Sequence, residues 1–212
     1  MLGGMTPGKP AAGKPAAGKP AADKPAADKA AAGKPAADKA AAGTLPPPRD
    51  PRPPYRICIV CLGNICRSPM AERVLTAELD RAGLTGKVVV DSAGTGDWHL
   101  GEAMDSRARA ELSRRGYAGS GHEARQIEQH WLARYDLLLA MDLANLANLR
   151  QLAEGDANLS SRIQLMRAFD PAAPDGAEVP DPYYGSPADY AEAFELIEAA
   201  AKGLTVQLAA ER

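Results

Sequence analysis

Long apolar runs are missing from this sequence. No stretch of its 212 residues approaches the roughly 20 apolar side chains that a membrane-spanning helix needs. The first residues also lack the apolar centre of a signal peptide. Cysteine is scarce, with Cys58, Cys61 and Cys66 crowded into nine positions. That spacing excludes a disulfide framework and predicts a protein of a reducing compartment, the cytoplasm. Histidine is as rare, with His99, His122 and His130 only. None stands close enough in sequence to complete a tetrahedral zinc set with the three thiols, so neither a metal nor another cofactor is expected. None has a spacing that predicts a place beside the cysteines; His99 and His130 read as surface residues.

Core-forming residues are absent from the beginning of the chain. Between Thr6 and Leu45 there is no aromatic or large aliphatic side chain, and residues 9–43 repeat Lys-(Pro/Ala)-Ala-Ala-(Gly/Asp) seven times. Such a segment cannot bury enough surface to offset the entropy of ordering. Residues 1–54 are therefore predicted to be a disordered tail with a proline-rich linker, and 55–212 a single domain. The charge divides at the same place. Through Pro54 seven Lys and two Arg face four Asp, a net of +5, whereas sixteen basic and twenty-three acidic residues follow, a net of −7. A basic tail on an acidic domain predicts at most weak contact with polyanions through the lysines.

From Tyr55 the pattern alternates short β-branched runs with amphipathic ones. Ile57, Ile59 and Val60 form a strand, and the helix after Pro69 carries Met70, Val74, Leu75, Leu79 and Ala82 on one stripe. Lys87 to Val90 is a second strand. A long loop through Trp98 and Gly101 leads to a short helix from about Ser106, with Ala108 and Leu112 inward. Tyr135 to Met141 reads as a buried strand. Asp142 caps a helix bearing Leu143, Leu146, Leu149 and Leu152, and Arg162 to Met166 makes a fourth strand. Ser186-Pro187 opens a last helix, with Tyr190, Phe194, Ile197 and Leu204 inward. The order predicts an α/β fold: a four-stranded parallel sheet with helices on both faces, and a phosphate-binding loop after the first strand. Ligands in such sheets bind outside the carboxyl ends of the strands.

That is where the chain places Cys61-Leu62-Gly63-Asn64-Ile65-Cys66-Arg67-Ser68. Five residues between Cys61 and Arg67 suffice to turn backbone N–H groups inward around a tetrahedral oxyanion. Gly63 and Asn64 tolerate the left-handed backbone such a wrap demands. Ser68 and Pro69 start a helix whose N-terminus points at the loop. Arg67 supplies a planar fork for two phosphate oxygens. In that field Cys61 is the expected nucleophile. Ser68 can donate its hydroxyl to the thiolate, and Asn64 holds the loop's shape. A departing phenolate needs a proton. Asp181, between Pro180 and Pro182, reads on local sequence as a plain turn, and it is the family resemblance described next, with Tyr183-Tyr184-Gly185, that makes it the expected general acid. Trp98, Tyr183 and Tyr184 are the side chains expected to wall an aromatic slot.

The string CLGNICRSP, with DPYYG at Asp181 to Gly185, closely resembles the low-molecular-weight protein tyrosine phosphatases, over about Tyr55 to Leu208. The resemblance implies hydrolysis of aryl phosphate esters through a phosphocysteine intermediate, with no metal. It implies that Ser92 is the hydrogen-bond partner of Asn64 and that His122 is structural. It also implies a phosphotyrosine protein as substrate, for which a bacterial tyrosine kinase is a fitting partner. Two other activities belong to the same fold. Arsenate reduction needs further cysteines, and none follows Cys66. The arginine phosphatases of the family resemble this loop but carry threonine at the position of Ile65, and an apolar residue there suits an aryl group.

Overall fold

The computed structural model describes residues 43–211. Strand β1 (Tyr55–Cys61) is followed by α1 (Arg67–Arg81), β2 (Val88–Gly94), α2 (Ser106–Arg114), α3 (Gln129–Leu132) and β3 (Leu137–Ala140). Then come α4 (Leu143–Leu152), α5 (Ala157–Ser160), β4 (Ile163–Leu165), a 3₁₀ turn at Met166–Phe169 and the long α6 (Pro187–Glu211). The strands form one parallel sheet in the order β2-β1-β3-β4. Parallel pairing follows from the helical crossovers, and both faces are covered, as the apolar strands require.

Alternation along β1 sorts the core into two layers. Ile57, Ile59 and Cys61 pack with Met70, Leu75, Phe194 and Ile197 beneath α1, α2 and α6, while Cys58 and Val60 join Leu138, Leu149 and Tyr135 on the opposite face. The four-stranded parallel arrangement and its phosphate-binding loop are as the sequence predicts. Two helix stripes differ at their ends. Ala82 is exposed and Leu84 is buried instead, because α1 stops at Arg81 and the chain turns inward. In α4 the inward residues are Leu146 and Leu149; Leu143 is 53% exposed at the helix start and Leu152 half-buried.

The packed chain begins before Tyr55, so the linker departs in part from the expected disorder. Leu45 and Pro46 are buried, and the Tyr55 hydroxyl donates to the Pro46 carbonyl at 3.0 Å. Gly43 N donates to Ala168 O at 2.7 Å, and Thr44 exchanges hydrogen bonds with the Gln164 side chain at 3.2 and 2.7 Å. Arg162 reaches Pro47 O at 2.8 Å. Arg49 donates through its backbone to Asp136 at 2.6 Å and through Nε to Tyr135 O at 2.9 Å. Residues 43–49 thus run along β4 in the opposite direction and cover the edge of the sheet. Leu45 is the first large aliphatic side chain after the repeats, and its burial anchors the strap. The expected flexible tail over residues 1–42 lies outside the described residues.

Removing residues 1–42 should leave the melting temperature within about 1 °C of the full chain, since its repeats carry no aromatic or large aliphatic side chain. Removing 1–54 should cost roughly 2–4 kcal/mol, from lost hydrogen bonds near ~1 kcal/mol each and the exposed Leu45 pocket. For a domain of this size that is a drop of roughly 5–12 °C. Calorimetry on both truncations checks it; equal melting temperatures would mean that the strap adds nothing.

Candidate active site

β1 ends at Cys61 and α1 begins at Arg67, with Cys66 and not the expected Ser68 at the N-cap, so the intervening residues must reverse direction within one loop. Asn64 makes the reversal, with φ at 54°, in the left-handed region. Its side chain is fully buried and satisfied on both sides: Nδ2 donates to Ser68 Oγ at 2.9 Å and Ser92 Oγ at 3.0 Å, and Oδ1 accepts from Arg125 N at 2.9 Å. The Asn64 carbonyl accepts from His122 Nε2 at 2.6 Å. Ser92 passes its own hydroxyl proton to Glu72 at 2.6 Å. The pairing of Ser92 with Asn64 is present.

The Cys61 sulfur lies 3.0 Å from Ser68 Oγ and accepts from Asn64 N at 3.3 Å. One backbone amide of the loop therefore already points at the sulfur. Gly63 sits under the His99 ring, where a Cβ would come within 2.9 Å of Cδ2. Leu62 is partly exposed at the rim, whereas Ile65 and Cys66 turn into the core. Cys66 lies 3.5 Å from the Tyr190 hydroxyl, and burial pushes its thiol up to about 12.

Arg67 is buried, and its guanidinium is divided between two carboxylates. Nη1 donates to Asp142 at 2.6 Å and to Val179 O at 3.2 Å, and Nη2 donates to Asp181 at 2.7 Å. Burial alone would lower its pKa, but Cys61, Asp181 and Asp142 outweigh it and the guanidinium is held as a cation. Asp181 also accepts from Tyr183 N at 3.2 Å. A residue 114 positions away is thereby brought to the cysteine loop. Tyr183 packs edge-on against Tyr184 at 4.9 Å and tilted against His99 at 6.0 Å. Tyr184 is 78% exposed and Trp98 66% exposed. The Trp98 indole lies against Gly96, where a Cβ would fall 1.7 Å from its ring, and the ring beside Tyr183 on that side is His99.

Residues 56–212 match the family described as low molecular weight phosphotyrosine protein phosphatase. A low molecular weight protein-tyrosine-phosphatase of Streptomyces coelicolor is 49% identical over 151 residues, 71% of this chain and 91% of that protein. The chain belongs to the low molecular weight phosphotyrosine protein phosphatase family. Among solved structures, YfkJ of Bacillus subtilis matches with a TM-score of 0.70 at 36% identity, covering 77% of this chain and 99% of that one. The YwlE arginine phosphatase matches with a TM-score of 0.65 at 26% identity, covering 74% and 98%.

For this phosphatase-family chain the sequence reading missed several residues at the loop. Asp142 was visible only as a helix cap, which it is, accepting from Asn145 N at 2.7 Å; its position at the carboxyl end of β3 was the signal that it also faces the site. His99 and His122 both lie against the loop, contrary to the expectation from their spacing. Glu72 and Arg125 carried no local signal at all. His122 itself is structural, as expected, fixing a loop carbonyl.

Burial holds the His122 imidazole below its ordinary pKa, although the Asn64 carbonyl pulls the other way. The unfolded chain, with a histidine near ~6.5, therefore binds the proton first as pH falls. The neutral ring favours the fold fully above ~6.5, and that contribution is lost between there and the depressed folded pKa. His122→Gln retains a donor for Asn64 O without titrating. Its melting temperature should fall less than the unsubstituted protein's between pH ~7 and ~5. Parallel pH profiles would remove His122 from the acid sensitivity of the fold.

Proposed function

We propose that the chain is a protein-tyrosine phosphatase that hydrolyses aryl phosphate monoesters through a phosphocysteine intermediate. The observation that carries the reading is the Arg67–Asp181 contact at 2.7 Å, which joins a buried guanidinium, a cysteine loop and an exposed carboxylate in one place. In this mechanism Cys61 attacks phosphorus, and the inward amides of Leu62 to Cys66, together with Arg67, take up the charge on the phosphoryl oxygens. Ser68 donates to the thiolate. Asp181 gives its proton to the leaving phenolate, then takes one from the water that attacks the phosphocysteine, releasing phosphate and restoring Cys61.

The aryl group would enter between His99 and Tyr183, with Tyr184 and Trp98 at the rim. The apolar residue type at Ile65 supports an aryl ester over an arginine phosphate, the second reading that the likeness to YwlE brings, although its side chain turns into the core. The substrate is then a phosphotyrosine protein, and an autophosphorylated bacterial tyrosine kinase fits that chemistry. Three free, buried thiols suit a reducing cytoplasm. No helix among the described residues is long and apolar enough to cross a membrane. The lysine repeats add at most a weak, salt-sensitive contact with polyanions.

Cys61→Ser should fold and lose all measurable turnover. Asp181→Asn keeps the side-chain size while removing the transferable proton, and a general acid contributes roughly 10²- to 10⁴-fold. The loss in kcat/KM should approach the upper figure for phenyl phosphate, whose leaving group has a pKa near ~10, and shrink for nitrophenyl phosphate. Slopes against leaving-group pKa that stay parallel in the two proteins would take the acid role from Asp181. On matched peptides, phosphotyrosine should be cleaved at least roughly 100-fold faster than phosphoarginine, the range a fitted apolar pocket can supply. The reverse order would favour the arginine reading.

A further inference from the structure

Both faces of the sheet are covered, but at the start of β1 and β2 one of them opens into a cleft. Arg56 on β1 and Asp91 on β2 stand on the same face as Cys58, whose register partner is Asp91. α3, four residues long, supplies Trp131 to that end, and Val89 beside Arg56 is exposed. The opening is a cleft of about 460 Å³ lined by Arg56, Asp91, Arg125, Trp131, Arg134 and Tyr135. That volume lies in the range of small-molecule sites, about 300–1,000 Å³.

Its charge is opposite to that of the domain around it. Three guanidiniums face one carboxylate, in a domain whose sixteen basic residues are outnumbered by twenty-three acidic ones. Asp91 is already engaged, accepting from Arg125 at 2.8 Å and from the Tyr135 hydroxyl at 3.1 Å. Arg56 and Arg134 make no side-chain hydrogen bond or ion pair among the described residues. Arg134 and Arg125 are instead positioned over the Trp131 ring, at 5.9 and 5.5 Å. Two cationic forks are thus left over in a concave, ring-backed site, the arrangement that recognises phosphate oxygens.

The third guanidinium leads to the phosphate loop. Arg125 Nε donates to Ser92 O at 2.8 Å, and Arg125 N donates to Asn64 Oδ1 at 2.9 Å. Its carbonyl accepts from Gly94 N at 2.8 Å. A ligand that draws the Arg125 guanidinium away from Asp91 therefore acts on the residue that fixes Asn64, and through Asn64 on Ser68 and Cys61. We propose that this cleft is a second anion site, which takes a small phosphate-bearing ligand and passes its occupancy to the phosphate loop through Arg125.

Pyrophosphate is the probe. The chain has two tryptophans, so in full-length Trp98→Phe protein the emission reports Trp131 alone. Titration should give a saturable change. Adding Arg56→Gln and Arg134→Gln should weaken it at least roughly tenfold, since charge-assisted hydrogen bonds are roughly twice as strong as neutral ones. With Trp98 retained, the double variant should match the unsubstituted enzyme's kcat/KM on nitrophenyl phosphate without pyrophosphate. Saturating pyrophosphate should change kcat at least roughly twofold in the unsubstituted enzyme, and act only as a competitor of substrate in the double variant. Superimposable titrations with and without the two arginines would overturn the site. Purely competitive inhibition in both proteins would overturn the relay. Neither result bears on Cys61, whose role is read from turnover without pyrophosphate.

Discussion

A loop that turns its amide groups toward one point has to be held in that shape against the repulsion of its own aligned dipoles. Here the constraint is the left-handed backbone of Asn64 and the buried polar cluster that fixes it. Its side chain spends its donors on Ser68 and Ser92 and its acceptor on Arg125, while His122 takes its carbonyl. Each partner comes from a different part of the chain: α1, β2, and the segment leading to α3. The loop's geometry is therefore a property of the assembled sheet and not of the nine residues that encode it. An incompletely satisfied cluster of this kind would cost more than an apolar one, which is why Ser92 is itself anchored on Glu72.

The two edges of the sheet are treated differently. β4 is covered by the strap at residues 43–49, whose hydrogen bonds run to Ala168, Gln164, Arg162 and Asp136. Covering an edge removes a row of unpaired groups that another chain could engage. β2, at the other edge, is met near its end by the segment leading to α3, where Gly94 N donates to Arg125 O and Gly94 O accepts from Ile127 N, both at 2.8 Å. Because Asp136 accepts from both Arg49 N and Arg56 N, at 2.6 and 2.8 Å, the strap also pins the start of β1 against the start of β3. The family match begins at residue 56, so most of this bracing lies outside the segment shared with the family.

The strands, helices and cysteine loop were legible because their signals are local: period-two and period-3.6 patterns, a Gly-Asn pair, and Ser-Pro at a helix start. Asp181 stood out only through the family resemblance of Asp-Pro-Tyr-Tyr-Gly, because a Pro-Asp-Pro stretch by itself reads as a turn. What the sequence concealed was long-range. Asp142 looked like a cap and is one, but its second oxygen serves Arg67 across 75 positions. His99 appeared to belong to a surface loop; the return of that loop over Gly63 depends on where β2 ends, which no spacing rule encodes. The strap was concealed by composition. Proline and alanine predict disorder on average, and a single leucine with a few hydrogen bonds was enough to reverse that for seven residues.

The same long-range contacts explain why position 67 carries arginine. A guanidinium has five N–H donors in a fixed plane. Three are spent inside the protein, on Asp142, Val179 O and Asp181. The two on Nη1 lock the plane, because both of its hydrogens have partners on opposite sides of the site. What remains is the Nε hydrogen and the second Nη2 hydrogen, the donors a phosphoryl group needs for a paired contact. An ammonium group has three donors and no plane, so satisfying Asp142, Val179 O and Asp181 would exhaust it. Sharing Nη2 between Asp181 and the phosphoryl group also sets the acid's distance from the reacting atoms. Under the proposed mechanism, the side chain that steadies the charge is therefore also the one that positions the proton.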